Sequence, residues 1–253
     1  DSQDSVNIAT TTSTTSITAT ALIDVVDEIL NAQDKGNGAI LVLLDYSRAF
    51  DTINVSLLLA KLHYYGLSAE AIQWFTSYLS SRTQTVELKH EDGTIKSSQC
   101  RQVLRGVPQG SILGPLLFII YCADVTKVIK NCRYHMYADD IQIYISFPPN
   151  ETHNAVLKLN EDLKNIAGWS EANCLALNPQ KSKFVILGTA NQIQLISREI
   201  PMVKIQDEPI ERVTEARNLD VLMDECLRFE IHNTVKSCFN RLKVLYQIRT
   251  FLK

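Results

Sequence analysis

The spacing of apolar and polar residues changes several times along the chain, and each change predicts an element. Residues 8–20, IATTTSTTSITAT, are rich in Thr and Ser and read as irregular. Apolar residues then recur at 21, 22, 25, 26, 29 and 30, a helical stripe that ends where Gly36 and Gly38 break it. AILVLLDY (39–46) is a continuous apolar run, the pattern of a strand buried on both faces. The helical period resumes from Asp51 with Leu57, Leu58, Leu59 and Leu62 and stops at Gly66, after which Ser68 caps a second helix, AEAIQWFTSYLSSR. TQTVELK and IKSSQCRQV flank EDG as a hairpin. SILGPLLFIIYCADVTKVI follows as a helix opened by a Gly/Pro-rich turn.

In RYHMYADDIQIYIS (133–146), Ile141, Ile143 and Ile145 alternate with polar or amphipathic neighbours, and Tyr134 and Met136 alternate before them. Asp139 and Asp140 therefore fall at the tip of a hairpin. Residues 154–176 read as an amphipathic helix ending near Asn173, KFVILG as a strand, and MVKIQ and VLM as short strands. The final stretch of the chain reads as a basic helix. This order predicts an α+β fold, a mixed or antiparallel sheet with helices on one face.

The same order has a chemical consequence. Asp45 stands at the C-terminal end of the apolar strand, so if the hairpin lies beside that strand, three carboxylates converge on one sheet edge. Like charges at close range repel unless neutralised. Hard divalent cations do this while leaving room for phosphate oxygens, and two of them about 3.5–4 Å apart can serve an attacking and a leaving oxygen. Taken alone, an Asp-Asp pair is more often a solvated turn than a metal site.

Composition narrows the field. The 253 residues suffice for one large domain or two small ones, and 45% hydrophobic with 21% charged residues excludes a disordered chain. No run of about 18 apolar residues exists, so no membrane span is expected. The best candidate, residues 112–125, is interrupted by Gly114, Pro115 and Asp124. No basic-then-apolar leader opens the chain, so nothing indicates secretion, and the first residue, Asp rather than Met, points to a fragment or a processed form. Six cysteines, without metal-ligand spacing, read as reduced thiols. A net charge of −3 is unusual for a nucleic-acid binder, but its distribution is uneven. Residues 1–51 carry eight acids and two bases, whereas residues 227–253 carry six bases and one acid. That split allows an acidic site at one end and a phosphate-facing tail at the other.

LLDYSRAFDTI (43–53), RGVPQGSILGPLLFIIY (105–121), YADD (137–140) and LNPQKSKFVILG (177–188) occur in the order of the palm motifs A to D. On these residues the chain resembles the reverse transcriptase domain of non-LTR retrotransposons of the insect jockey-like kind. YGLS…WFTSYLSSRTQTV (65–86) and residues 203–232 are also similar to that family. The resemblance implies a right-hand polymerase palm over 21–190, after a Thr/Ser-rich lead over 1–20. It implies incomplete fingers, and over 191–253 the end of the palm with the start of a helical thumb-like segment.

The implied activity is RNA-directed DNA synthesis on an RNA template with a DNA primer and deoxynucleoside triphosphates. It would use two Mg²⁺ ions, with Mn²⁺ able to substitute. Asp45 and Asp139 would be the principal metal ligands and Asp140 a supporting one. Phe50 would stack under the incoming sugar and exclude a 2′-hydroxyl. Gln109 and Gly110 would lie against the templating pair, and Lys181 would face the triphosphate and protonate the leaving pyrophosphate. Arg82 reads as solvated or touching template backbone, and Asp51 as a helix N-terminal residue. Asp220, in NLDV, stands where the family has glycine, and YCAD (121–124) departs from the family's usual run. The alternative is a truncated, catalytically inactive palm remnant.

Overall fold

The computed structural model describes residues 14–90, 93–218 and 221–227. Helix α1 (Thr14–Asp34) begins inside the Thr/Ser-rich stretch expected to be irregular, correcting that expectation over 14–20, and leads into strand β1 (Gly38–Leu44) and the two-residue β2 (Tyr46–Ser47). A short α2 (Ala49–Thr52) and α3 (Val55–Tyr64) follow, separated at Asn54, whose side chain accepts from Leu57 N–H (3.1 Å) and starts α3 afresh. Ser68 caps α4 (Ala69–Leu79) by accepting from Ala71 N–H, as its sequence position predicts. The expected hairpin beyond it forms as two successive ladders. β3 (Thr83–Gln84) pairs with β6 (Arg101–Gln102), and β4 (Glu87–Lys89) pairs with β5 (Ile95–Ser97), all of them exposed.

Helix α5 (Leu113–Cys122) continues into a 3₁₀ turn over Ala123–Val128. Strands β7 (Arg133–Tyr137) and β8 (Asp140–Phe147) form the expected hairpin, followed by the long α6 (Thr152–Ala172). After β9 (Ala176–Leu177) and β10 (Lys183–Leu187) comes α7 (Ala190–Glu199), which the apolar pattern did not announce. Its signal is a capping box in which Thr189 and Gln192 satisfy each other's main-chain N–H groups. Five short strands close the described chain: β11 (Lys204–Ile205), β12 (Glu208–Pro209), β13 (Glu211–Arg212), β14 (Glu215–Asn218) and β15 (Val221–Asp224). The expected basic final helix and Asp220 lie outside the described residues.

Among the described residues, one five-stranded mixed sheet, ordered β13–β10–β1–β8–β7, organises the fold; in it only the β10–β13 pairing is parallel. Even-numbered residues of β1 (Ile40, Val42, Leu44) join Ile141 and Ile143 of β8 beneath α3, α5 and α6. Leu58, Leu62, Phe118, Val156, Leu163 and Ile166 fill that layer.

The expectation of helices on one face only is corrected here. Val25, Val26 and Ile29 of α1 cover the other face, against Ala39, Leu41, Tyr144, Val185 and Leu187. The reason is in β1 itself, since a strand apolar at every position needs cover on both sides. Glu28 fastens α1 there, pairing with Arg133 and accepting from the Tyr144 hydroxyl. Among the described residues, no helix is long and apolar enough to cross a membrane.

Polar atoms inside this core are nearly all paired. Lys61 is buried on α3; its ammonium donates to the Tyr121 carbonyl (2.6 Å) and Asp124 Oδ1 (2.7 Å) beneath the Tyr121 and Trp169 rings. The Tyr121 hydroxyl donates to the Asn173 carbonyl (2.6 Å), and burial pushes its pKa up to about 12. Asp124, the acid of the unusual YCAD run, is therefore the ion-pair partner of a buried lysine.

Asp162, fully buried on α6, accepts from three consecutive main-chain N–H groups, those of Lys130 (3.0 Å), Asn131 (2.8 Å) and Cys132 (2.7 Å). It thereby fixes the chain just before β7. Replacing Asp162 with Ala leaves those donors without an acceptor and should cost about 3 kcal/mol, with Asp162→Asn intermediate. Urea unfolding midpoints of the two variants measure this.

Candidate active site

Two strand pairings bring the acids together. β1 runs antiparallel to β8 with Leu44 opposite Ile141, so Asp45 falls level with Asp140 and next to Asp139. The β7–β8 hairpin closes at Tyr137↔Asp140, leaving Ala138 and Asp139 as its two-residue turn. Ala138 adopts a left-handed φ of 50°, an uncommon conformation for a residue with a Cβ and one that collects at functional turns. The acid pair is thus split. Asp139 is half-buried in the turn, and Asp140 is exposed as the first residue of β8.

Asp45 sits just past the end of β1, half-buried, and its Oδ2 is buried without a hydrogen-bond partner. An unpaired buried carboxylate oxygen is costly unless a cation meets it. The charge of Asp139 reaches Cys122 on α5, whose thiol is pushed up to about 12. Burial is the main cause; Lys61 opposes the rise, and Asp124 and Asp139 add to it. Among the described residues, no three His, Cys, Asp or Glu side chains form a ready-made metal cage. The chemistry of the set still fits Mg²⁺, which is commonly held by one or two carboxylates together with water and substrate phosphates.

The second contributor is the loop before α5. Gly106 crosses directly over α2: its N–H donates to the Ile53 carbonyl (2.8 Å), and Val107 N–H donates to the Phe50 carbonyl (3.0 Å). Arg82 ties this loop down, donating to the carbonyls of Leu79 (3.0 Å), Arg105 (3.2 Å) and Gly106. It is half-buried, with Nε and one amino group committed to these carbonyls. Gln109 Nε2 donates to Asp51 Oδ1 (2.7 Å), joining the two loops at the surface. Gly110 has φ +74° with open space around it, so its glycine is required by the turn. Ser111 starts the following helix, its hydroxyl accepting from Gly114 N–H (3.0 Å) and donating to the Pro108 carbonyl (2.7 Å).

Phe50 is half-buried, with its ring 4.9 Å from that of Phe118. Lys181 is exposed in the turn between β9 and β10, where its N–H donates to the Asn178 carbonyl and side chain (both 3.2 Å). That turn is joined to Asp45, because Asn178 N–H donates to the Asp45 carbonyl (2.8 Å) and Asp45 N–H donates to Ser182 Oγ (3.1 Å). Gly106, Asn178 and Ser182 were not singled out in the sequence. A Gly before Val-Pro and a Ser after Lys carry no chemistry until the fold shows what they touch.

The sequence matches the family described as reverse transcriptase (RNA-dependent DNA polymerase) over residues 2–223. It is 29% identical over 236 residues to the probable RNA-directed DNA polymerase from transposon BS of Drosophila melanogaster, covering 86% of this chain and 24% of that protein. It is 30% identical over 217 residues to the RNA-directed DNA polymerase from mobile element jockey of Drosophila funebris, covering 83% of this chain and 22% of that protein. The chain thus spans about a quarter of the length of these relatives. In fold it is similar to apo telomerase from Candida tropicalis truncated from its C-terminal domain. That match has a TM-score of 0.53 and 14% identity, over 87% of this chain and 40% of the other.

The crossing at Gly106 generates a prediction. A Cβ there would lie 2.8 Å from both Asp51 Cα and the Phe50 carbonyl oxygen, on a backbone with φ +79°. Gly106→Ala should therefore destabilise the chain by about 2–3 kcal/mol through main-chain collision and strain. Chemical denaturation measures the loss, with Gly36→Ala, where φ is also positive but no atom lies within 4 Å, as the control for strain alone.

Proposed function

Because the chain belongs to the reverse transcriptase (RNA-dependent DNA polymerase) family, we propose that it extends a DNA primer with deoxynucleotides on an RNA template as part of a retroelement polymerase. The observation that carries this reading is the β1–β8 register, which sets Asp45 level with the Asp139–Asp140 turn while Asp45 Oδ2 is buried and unpaired. Asp45 and Asp139 would hold two Mg²⁺ or Mn²⁺ ions, with Asp140 in support. Bound there, such ions supply Lewis acidity at the attacking and leaving oxygens.

The rest is the work of side chains. In the reaction the O3′–Pα bond forms, the bond between the α- and β-phosphates breaks, and the primer hydroxyl loses its proton to solvent. Lys181, exposed in its turn, would donate a proton to the departing pyrophosphate. Phe50, backed by Phe118, would offer a firm ring beneath the sugar, so that a 2′-hydroxyl meets it as a clash. Gln109, steadied by Asp51, and Gly110, with no Cβ and open space around it, would face the templating base pair. Template and primer would be held mainly through their phosphates, making binding salt-sensitive.

Primer extension on a primed RNA with Mg²⁺ or Mn²⁺ tests the reading. The wild-type chain is expected to incorporate deoxynucleotides, and the Asp139→Asn/Asp140→Asn double variant to lose at least about a thousandfold of that rate. Silence from a wild-type chain with a cooperative unfolding transition would instead favour an inactive palm remnant.

A further inference from the structure

On its β8 side β1 is paired up to Leu44↔Ile141, but on its other side the ladder is interrupted at Asp45. β1 pairs with β10 as far as Leu43↔Lys183, and pairing resumes only at Tyr46↔Leu177 on β9. Residues 44–45 thus face an inserted turn, 178–182. Insertions of this kind bend a strand and re-aim its side chains.

Both main-chain polar groups of Asp45 end in that turn. Its N–H donates to Ser182 Oγ (3.1 Å), and its carbonyl accepts from Asn178 N–H (2.8 Å). The Ser182 hydroxyl donates in turn to the Asn178 carbonyl (2.8 Å), which also accepts from Ser182 N–H (2.9 Å). Ser182 is fully buried. One hydroxyl therefore joins a donor on the Asp45 strand to an acceptor on the turn, with little water near to substitute for it.

We infer that Ser182 is a positioning residue for Asp45: by holding the interrupted ladder it fixes the direction in which the Asp45 carboxylate leaves the backbone. The inference rests on the reading of Asp45 as a cation-holding carboxylate. Removing the hydroxyl leaves the Asp45 N–H without its acceptor, while the Asn178 carbonyl keeps the Ser182 and Lys181 N–H groups, and the main chain at Asp45 relaxes to find another partner. Groups that orient a ligating side chain from behind are commonly worth ten- to a hundredfold in metal affinity or rate.

The test is Mn²⁺ titration of the purified chain followed by electron paramagnetic resonance, for wild type, Ser182→Ala and Ser182→Thr, with Asp45→Asn as the blank. Ser182→Ala should raise the half-saturating Mn²⁺ concentration about tenfold, whereas Ser182→Thr, which keeps the hydroxyl, should stay within about twofold. In primer extension, kcat of Ser182→Ala should fall about tenfold or more with little change in nucleotide KM. Thermal unfolding, run in parallel, identifies a variant that is simply unfolded; in that case Ser182→Cys, a weaker donor and acceptor, replaces Ser182→Ala and should shift affinity in the same direction.

Equal Mn²⁺ affinity in wild type and folded Ser182→Ala would overturn the inference and leave the polymerase reading standing. A retained Mn²⁺ shift with no primer extension by wild type would do the reverse. A wild-type chain that binds Mn²⁺ no better than Asp45→Asn would overturn the inference as well.

Discussion

Antiparallel pairing between β1 and β8 is the constraint on which the site depends. Two segments nearly a hundred residues apart in sequence are locked at Leu44↔Ile141, and that single register decides where Asp45 stands relative to Asp139 and Asp140. Because side chains alternate faces along a strand, a slip of one residue would turn Ile40, Val42 and Leu44 out of the layer they share with α5 and α6. The apolar core therefore holds the acids in place. Burial on both faces makes the register hard to change, and the carboxylates stand at an end of the ladder, where burial gives way.

The core is not purely apolar, and its polar nodes join the helices to one another and to the sheet. Lys61, Tyr121, Asn173 and Asp124 connect α3, α5 and the end of α6, and Asp162 secures the entry to β7. Each is paired, which is what allows it to be buried. Hydrogen bonds of this type add direction to packing that hydrophobic contact alone leaves adjustable. Helices α3, α5 and α6 and the start of β7 are thus held in orientation as well as in depth.

Much of this was legible in the sequence where the determinant is local. Alternation in RYHMYADDIQIYIS located the hairpin and its acidic tip, Ser68 marked a helix start, and the motif order pointed to the family. What escaped depends on partners distant along the chain. The continuous apolar run of β1 already implied cover on both faces, yet nothing near it named α1 as the second cover. Arg82 reads as a surface residue until the loop at Gly106 arrives beneath it. Ser182 is an ordinary serine beside a motif lysine until the inserted turn brings its hydroxyl to Asp45. Local pattern encodes which element forms; long-range hydrogen bonds decide what each polar side chain is for.

Gln142 of β8 and Asn218 of β14 are both buried and exchange amide hydrogen bonds in both directions, at 2.6 and 2.8 Å, across 76 residues of sequence. Such a reciprocal pair has few solutions. Changing either partner alone strands half of a buried amide, whereas an apolar pair of matching shape could replace both at once. The two positions should therefore be inherited as a unit, one remembering the history of the other, so that among descendants of this chain they change in tandem or stay as they are.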